Sequence, residues 1–190
     1  MVSNPYETDS MVSQYLDFQY GPEYFGVANY AKALVDIACD VTSRRERALD
    51  IGCATGRASF ELARHFDQVV GMDYSARFID VALQLTSGED FRYVTQEEGE
   101  LVEYRQVRLK DIGLGTEQAS RIQFLQGDAC NLKPQAQPYD LVLASNLIDR
   151  LRQPQRFLQD ITRMIRTGGV LVLSSPYTWL EEFTPKENWL

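Results

Sequence analysis

The sequence is poor in the groups that many catalytic and metal sites require. It has one histidine, His65, and three cysteines in 190 residues. A single imidazole gives little support to a zinc site or a Ser-His-Asp triad, so we expect no metal. The cysteines Cys39, Cys53 and Cys130 are widely spaced and odd in number, which is typical of free thiols in a reducing compartment.

Positive charge is also scarce, with 19 Lys and Arg against 27 Asp and Glu and a net charge of -8. No basic cluster could follow a phosphate backbone, so nucleic acid is not an expected partner. No apolar run reaches the roughly 20 residues that span a bilayer, and the start MVSNPYETDS lacks the features of a secretion signal. These absences predict a cytoplasmic protein that binds no membrane.

What is present is an alternation of short apolar runs and amphipathic segments over one domain, residues 1–190. Residues 29–41 predict a helix that buries Tyr30, Leu34, Ile37, Ala38 and Val41. Strands are predicted at 47–51, 68–73, 121–128, 139–145 and 170–175, and further helices at 57–66, 75–85 and 154–166, the last ended by glycines 168 and 169. This order predicts an α/β fold with a mostly parallel, twisted sheet covered by helices on both faces.

The alternation is interrupted before the third strand of that sheet. Residues 91–109, within an insertion over 87–120, have hairpin character around a turn at Glu98 and Gly99. Such an insertion is either a solvated flap or a cover for substrate, since long insertions are often functional. The chain thus divides into a lid and helix at 1–44, a core at 45–176, the insertion, and a C-terminal segment at 177–190.

The segment LDIGCATGR, residues 49–57, joins the first strand to its helix through a loop of small residues. In an open parallel sheet, this turn is where a ligand contacts the backbone. Its glycines, Gly52 and Gly56, do not have the G-x-G-x-x-G spacing of a dinucleotide site, which disfavours a dehydrogenase, and no Gly-Lys-Ser/Thr follows.

The loop resembles the first motif of the class I S-adenosylmethionine-dependent methyltransferases, with Ala54 at the family's usual middle glycine. The resemblance implies that Asp50 faces the positive end of the cofactor and that Asp73 accepts from the ribose hydroxyls. It further implies that Asp128 binds the adenine amino group and that Asn146 points toward the methyl-transfer face. The cofactor-binding residues so implied are Asp50, Gly52, Cys53, Ala54, Gly56, Asp73, Tyr74, Asp128, Ala129 and Asn146.

The N-terminal segment, the glycine loop, the EEGE hairpin and the ending SSPYTWLEEFTPKENWL are together similar to the mercaptohistidine N-methyltransferases of ovothiol biosynthesis. That resemblance implies ring-nitrogen methylation of 5-mercaptohistidine beneath a lid that carries Tyr6, Tyr15, Tyr20, Tyr24 and Tyr30. The candidate substrate-binding residues are Tyr6, Glu7, Asp9, Tyr15, Tyr20 and Arg150. Tyr20 and Asn146 are catalytic candidates, although no acceptor-site motif transfers a catalytic role to either.

Two alternatives stay open: a methyltransferase of another small metabolite, and a module that holds the cofactor without turnover. In the similar family the domain is often fused to an iron-dependent sulfoxide synthase. Class I methyltransferases usually continue past the fifth strand, whereas this sequence ends soon after Ser175. We therefore expect C-terminal strands to be missing, with a bare sheet edge that a homodimer or a fusion partner completes.

Overall fold

The structure, a computed structural model, describes residues 4–23, 25–133 and 137–190. Tyr24 of the predicted lid lies outside the described residues. The helices are α1 (Asp9–Tyr20), α2 (Tyr30–Asp40), α3 (Arg57–Leu62), α4 (Ala76–Thr86), α5 (Thr116–Ala119) and α6 (Pro154–Ile161). The strands are β1 (Arg47–Ile51), β2 (Gln68–Asp73), β3 (Phe91–Glu98), β4 (Leu101–Val107), β5 (Ile122–Gln126), β6 (Tyr139–Ser145) and β7 (Ile165–Ser174).

Five strands form one parallel sheet in the order β5-β2-β1-β6-β7. The chain moves outward from β1 to β2 on one side and later returns to place β6 on the other side. This reversal opens a crevice at the carboxyl ends of β1 and β6, where open α/β sheets bind their ligands. The predicted α/β class with a mostly parallel sheet is confirmed.

Helices cover both faces of the sheet. On one face α2 and α3 pack over β1 and β6, with Val35, Ala38 and Leu62 fully buried against Leu141 and Leu143. On the other face α6 contributes Phe157 and Ile161 to a cluster with residues of β1 and β6. Both faces of β6 are therefore buried, which explains why its sequence YDLVLAS is almost continuously apolar.

The predicted buried face of α2 is wrong by about one residue. The structure buries Ala31, Val35, Ala38 and Cys39, whereas Ile37 is 60% and Val41 59% exposed. Small side chains on the observed buried face let α2 approach α3 closely. This close approach, and not the size of the apolar side chains, decides which face of α2 turns inward.

The predicted end of α6 at the two glycines is also wrong. The helix ends at Ile161, and β7 already begins at Ile165. Gly168, with φ of +79°, and Gly169 lie inside the strand, where the register against β6 shifts between Tyr139 and Leu141. A Cβ on Gly169 would lie 2.9 Å from the Tyr139 carbonyl oxygen, so this irregularity in the strand requires glycine.

The predicted hairpin insertion is present as β3 and β4, which pair antiparallel and apart from the main sheet. Its inner face packs on α1, where Arg105 forms an ion pair with Asp17 and the Tyr93 hydroxyl donates to the same carboxylate. The hairpin therefore braces the N-terminal helix from outside.

The described part of the chain holds no helix with the length and apolar character needed to cross a membrane. Within the same residues β7 is an edge strand that pairs only with β6, and no further strand follows it. The C-terminal segment instead folds back, with the Phe183 ring stacked on Tyr6 at a centroid distance of 5.9 Å.

Candidate functional site

The loop after β1 adopts a backbone that few residue types permit. Gly52 and Gly56 have φ of +77° and +93°, and Ala54 also lies in the left-handed region at +48°. A Cβ on Gly52 would lie 3.0 Å from Leu147 Cδ1, and one on Gly56 would lie 2.8 Å from the Phe124 ring. Ala54 accepts a backbone strain of roughly 1–2 kcal/mol where glycine would have none. The amides of Gly52 and Cys53 donate to the Met72 carbonyl, which ties the loop to the end of β2.

Asp73, the last residue of β2, holds this loop in place. Its Oδ2 accepts from the Ala54 amide at 2.8 Å, and its Oδ1 accepts from the Ser75 amide at 2.9 Å. Burial raises the pKa of the Asp73 carboxyl, while the main-chain hydrogen bonds act in the opposite direction. Each carboxylate oxygen can accept a further hydrogen bond, so Asp73 can bind a diol without releasing the loop.

Asp50 lies one layer deeper at the base of the loop. It is 1% exposed and accepts from Ser59 Oγ at 2.6 Å. Burial raises the pKa of its carboxyl to about 7, partly offset by the Ser59 hydrogen bond and reinforced by the charge of Asp73. A carboxyl group poised near neutral pH is stabilised as an anion when a cation binds beside it.

The crevice contains a cavity of about 340 Å³ whose two sides differ in character. Asp50, Gly52 and Asp73 line the side that belongs to the glycine loop. The opposite side is formed by polar and aromatic residues from the N-terminal segment and from the ends of β6 and β7. These residues include Tyr6, Tyr15, Tyr30, Asn146 and Arg150.

A second cavity of about 260 Å³ adjoins the first and shares Gly52, Asp73 and Leu147 with it. Its remaining lining includes Tyr74, Asp128, Ala129, Cys130 and Arg152. Asp73 therefore lies between two chambers. The second cavity has the more apolar lining and suits a flat ring, whereas the first has a mixed polar and aromatic lining. An elongated ligand with a central diol would fit this arrangement.

The sequence profile of a family described as "Methyltransferase domain" matches residues 49–171, which include the glycine loop, the three acids Asp50, Asp73 and Asp128, and the strand β6 that precedes Asn146. The chain belongs to this methyltransferase domain family. The match supports S-adenosyl-L-methionine as the cofactor, in agreement with the expectation from the glycine loop.

The relatives of this methyltransferase domain are distant. Ubiquinone biosynthesis O-methyltransferases from strains of Coxiella burnetii are 27% identical over 135 residues, 71% of this chain and 45% of theirs. The chain thus spans about half the length of the curated relatives it matches. Among solved structures, the CcbJ methyltransferase from Streptomyces caelestis superimposes with a TM-score of 0.57 at 17% identity, covering 80% of this chain and 54% of that one.

A further structural neighbour is named as the [4+2]-cyclase SpnF, with a TM-score of 0.56, 21% identity, and coverage of 86% of this chain and 58% of that one. At such identities the likeness concerns the fold alone. One fold carries proteins named for different reactions, so the acceptor and the reaction must be argued from the site.

Several of the implied residues meet at the two chambers. The first chamber contains Asp50, Gly52, Cys53, Ala54, Asp73 and Asn146, and the second adds Tyr74, Asp128 and Ala129. Gly56 lies behind the loop and lines neither chamber, and its missing Cβ leaves room for Phe124 of β5 and Ala82 of α4. Cys53 is buried with a raised thiol pKa caused by burial, which makes it a packing residue and not a nucleophile.

Tyr20 does not reach the cavity. Its hydroxyl donates to the Thr55 carbonyl at 2.9 Å, and the Arg57 guanidinium lies over its ring. Burial raises the pKa of the phenol well above its ordinary value, so Tyr20 is no base at neutral pH. The structure gives Tyr20 the task of holding the glycine loop, not that of binding or activating substrate.

Glu7 and Asp9 also lie away from the cavity lining. The Glu7 carboxylate accepts from the amides of Ala76 and Arg77 at 2.9 and 3.3 Å, and so caps the N-terminus of α4. Asp9 has a side chain that is 87% exposed and forms an ion pair with Arg77. Both acids fasten the N-terminal segment to α4, which places Tyr6 between them and the cavity.

Gln19 is a residue that the sequence reading missed. It is buried at the end of α1, where Nε2 donates to the Cys53 carbonyl at 3.4 Å and Oε1 accepts from Thr55 Oγ1 at 2.6 Å. Its own carbonyl accepts from Arg57 Nη1 at 3.1 Å. The lid helix is therefore bonded directly to the glycine loop, and no local sequence signal announces such a contact.

Tyr6, Tyr15 and Arg150 line the cavity, and Phe183 of the C-terminal segment packs against two of them without lining it. Tyr6 contacts Tyr15 edge-on at a centroid distance of 5.9 Å and stacks on Phe183, and the Arg150 guanidinium lies 5.2 Å from the Phe183 ring. Burial raises the phenol pKa of both Tyr6 and Tyr15, while Arg150 acts in the opposite direction. At neutral pH these tyrosines are therefore protonated hydrogen-bond donors.

The titration of Asp50 predicts a pH-dependent affinity. Because its carboxyl has a pKa of about 7 in the ligand-free protein, binding of cationic S-adenosylmethionine must first displace a proton below that pH. We expect the Kd to rise by up to about tenfold per pH unit below 7 and to level off above it. Calorimetric titration across this range measures the slope. Asp50→Asn should abolish the slope, whereas Asp128→Asn at the other end of the site should retain it.

The raised pKa of Asp50 also makes the ligand-free protein less stable as the pH rises. A carboxyl whose pKa is raised on folding stabilises the fold most fully below its unfolded pKa, and this contribution is lost as the pH rises to about 7. Thermal unfolding without ligand should therefore show Asp50→Asn gaining stability relative to the wild type toward pH 8. If Asp50→Asn removes the pH dependence of the Kd but leaves the pH dependence of thermal stability unchanged, the raised pKa does not belong to Asp50.

Proposed function

We propose that this methyltransferase domain methylates a ring nitrogen of 5-mercaptohistidine, using S-adenosylmethionine. The observation that carries the proposal is the composition of the larger cavity, which joins the cofactor loop to a guanidinium and two protonated phenols. A small, planar, zwitterionic amino acid matches that lining. A long apolar acceptor would displace water from these polar groups and offer them no hydrogen bond in return, which is costly in a desolvated site.

The cofactor, when bound, would supply a methyl group on a positively charged sulfur. The acceptor's nitrogen lone pair forms the new bond as the sulfur–methyl bond breaks, S-adenosylhomocysteine leaves, and the methylated ring releases its N–H proton to solvent. The chain contributes alignment. When the cofactor is bound, Asp73 would hold the ribose hydroxyls, Asp128 would hold the adenine amino group, and Asp50 would face the positive end. Alignment of two reactants can account for about 7–11 kcal/mol of the barrier, so a site with no strong base among its described lining residues is sufficient for this chemistry.

Arg150 is proposed to hold the carboxylate of the acceptor. Its guanidinium is fixed because Nη1 donates to Asp149 Oδ2 at 2.9 Å and to the Thr178 carbonyl at 2.7 Å, and Nη2 donates to Thr178 Oγ1 at 3.0 Å. Arg150 also shares a side-chain hydrogen bond with Tyr6. We propose that a carboxylate binds the guanidinium bidentately at this place, next to the Tyr6 hydroxyl.

Tyr6 and Tyr15 are proposed to contact the imidazole ring of the acceptor. Their rings stand nearly perpendicular, at 85°, so one can stack on a planar ligand while the other meets its edge. The thiolate of the acceptor is the stronger nucleophile. Selectivity for nitrogen must therefore come from an orientation that turns the sulfur away from the methyl group.

A second candidate is O-methylation of a small hydroxylated aromatic compound. The observation in its favour is that the curated relatives are named ubiquinone biosynthesis O-methyltransferases. The same phenols could stack on such a ring, and Arg150 could bind a carboxylate on it. The cytoplasmic location, a homodimer and a sulfoxide synthase as fusion partner remain predictions beside this choice.

The deciding experiment incubates the protein with S-adenosylmethionine and, separately, with 5-mercaptohistidine, histidine and 3,4-dihydroxybenzoate. We expect turnover on the first, with the new methyl group located on a ring nitrogen by NMR. Exclusive sulfur methylation, or turnover on histidine in place of its thiol, would contradict the proposed acceptor. Methylation of the catechol alone would favour the second candidate. Cofactor binding without turnover on any of the three would favour a binding module.

A further inference from the structure

Asn146 occupies a distinctive position at the end of β6. Its φ of +51° places it in the left-handed region, and it lines the larger cavity together with Asp50 and Arg150. Asparagine tolerates this backbone better than most residues, so the conformation alone assigns it no task. The hydrogen bonds of its side chain are more informative.

Two hydroxyl groups fix the orientation of the Asn146 carboxamide. The Tyr30 hydroxyl lies 2.7 Å from Ser174 Oγ and 3.2 Å from Asn146 Oδ1, and Ser174 Oγ lies 3.3 Å from that same Oδ1. The Asn146 main-chain amide donates to the Ser174 carbonyl at 3.0 Å and also lies 3.2 Å from Ser174 Oγ. A hydroxyl group donates one proton and accepts through two lone pairs. In the shortest arrangement Tyr30 donates to Ser174 Oγ, and Ser174 donates its own proton to Asn146 Oδ1.

It follows that the carboxamide oxygen is turned toward Tyr30 and Ser174. The Nδ2 group then points away from them, and within the described residues it donates no hydrogen bond. An amide nitrogen with two unused protons at a ligand cavity can donate hydrogen bonds to a lone pair of the ligand.

We infer that Asn146 presents N–H donors to the acceptor, and that Tyr30 and Ser174 are positioning residues that hold it in this orientation. The site therefore selects an acceptor with a lone-pair or anionic atom beside the atom to be methylated. An acceptor that places N–H protons there is rejected, because donor would face donor. The inference rests on the proposed function, and it names the feature that the acceptor must carry.

For a thiol-bearing imidazole, the atom so recognised is the thiolate. Bound by Asn146, the sulfur is anchored and partly satisfied, which leaves the neighbouring ring nitrogen to face the methyl group. Recognition and regioselectivity would then have one physical cause. The sequence pattern did not suggest this, because Tyr30 and Ser174 are separated by most of the chain.

The first arm of the test needs no acceptor. Neutron diffraction on deuterated crystals of the protein with S-adenosylhomocysteine should show deuterium on the Asn146 atom that faces the cavity, and the Ser174 deuterium directed at Asn146 Oδ1. Deuterium on the atom that faces Tyr30 would overturn the inference.

The second arm measures selectivity. With the protein saturated by S-adenosylhomocysteine, calorimetry compares 5-mercaptohistidine with histidine above the pKa of the thiol. We expect the wild type to prefer the thiol by about tenfold, Asn146→Asp and the double variant Tyr30→Phe with Ser174→Ala to lose that preference, and Ser174→Thr, which keeps the hydroxyl, to retain it. A preference that survives Asn146→Asp would overturn the inference. If the wild type binds neither probe, the proposed acceptor is wrong, and the neutron result decides the inference by itself.

Discussion

Asp73→Ala should weaken S-adenosylmethionine binding by about 100-fold or more. The carboxylate has two roles that the structure separates: it accepts from the Ala54 and Ser75 amides, and it stands where the two chambers meet. Hydrogen bonds to a charged group contribute about 1.5–3 kcal/mol each, so losing two from the ribose removes at least about 3 kcal/mol and sets about 100-fold as the lower limit of the change. Calorimetric titration measures the change directly.

The structural and ligand-binding roles of Asp73 can be told apart with a modified ligand. S-adenosylhomocysteine and its 2′-deoxy analogue differ only in one hydroxyl group. Wild-type protein should bind the deoxy analogue more weakly, whereas Asp73→Ala should bind both alike, because the partner of that hydroxyl is gone. If the variant still discriminates between the two ligands, Asp73 acts on the loop and not on the ribose. Thermal unfolding of the wild type and of Asp73→Ala measures how much stability is lost with the hydrogen bonds from Asp73 to the loop.

The positions of Asp73 and Asp128 could be predicted because they depend on topology. Parallel strands joined by helices place their carboxyl ends at one edge, so an acid that ends such a strand must lie near the glycine loop. No knowledge of side-chain packing is needed for that step. The same reasoning located Asn146 but could not see the orientation of its amide, which two distant hydroxyls determine.

Tyr15 and Tyr20 show where this reasoning fails. They lie on the same helix five residues apart, which corresponds to a rotation of about 140° around the axis. One therefore faces the cavity while the other faces the back of the glycine loop. Composition indicates a tyrosine-rich lid. Only the packing of α1 against the hairpin and the glycine loop decides which tyrosine lines the cavity and which one supports the loop. The shifted face of α2 has the same origin.

The C-terminal segment was expected to be an incomplete extension of the sheet. In the structure, Thr184 is buried and its hydroxyl donates to the Leu151 carbonyl at 2.7 Å, while Thr178 Oγ1 donates to Asp149 Oδ2 at 3.0 Å. These bonds place Phe183 against Tyr6 and Arg150. The segment thus supports two residues that line the cavity, and such long-range contacts leave no periodic signal in the sequence.

The contacts that orient Arg150 lead to the second large effect. Arg150→Met should lower kcat/KM for 5-mercaptohistidine by about 100-fold or more, because one partner of a largely desolvated charge pair is removed. The affinity for S-adenosylmethionine should change little, since the guanidinium lines the side of the cavity away from the glycine loop. Arg156→Met on α6 removes the same charge from a side chain that is 54% exposed and should leave both quantities unchanged.

Because Arg150 also binds Thr178 and Asp149, its loss could act through the C-terminal segment and not through the acceptor. A decarboxylated acceptor, the thiol-bearing imidazole with an aminoethyl chain, separates the two. If Arg150 grips the carboxylate, wild-type protein should use this analogue about 100-fold less well than the amino acid, and Arg150→Met should use both equally poorly. A variant that loses activity on the amino acid and the analogue by the same factor would show instead that Arg150 only supports the C-terminal segment. Arg150→Lys keeps the charge but cannot offer two parallel donors, so partial recovery there would identify charge, and absence of recovery bidentate geometry, as what the acceptor requires.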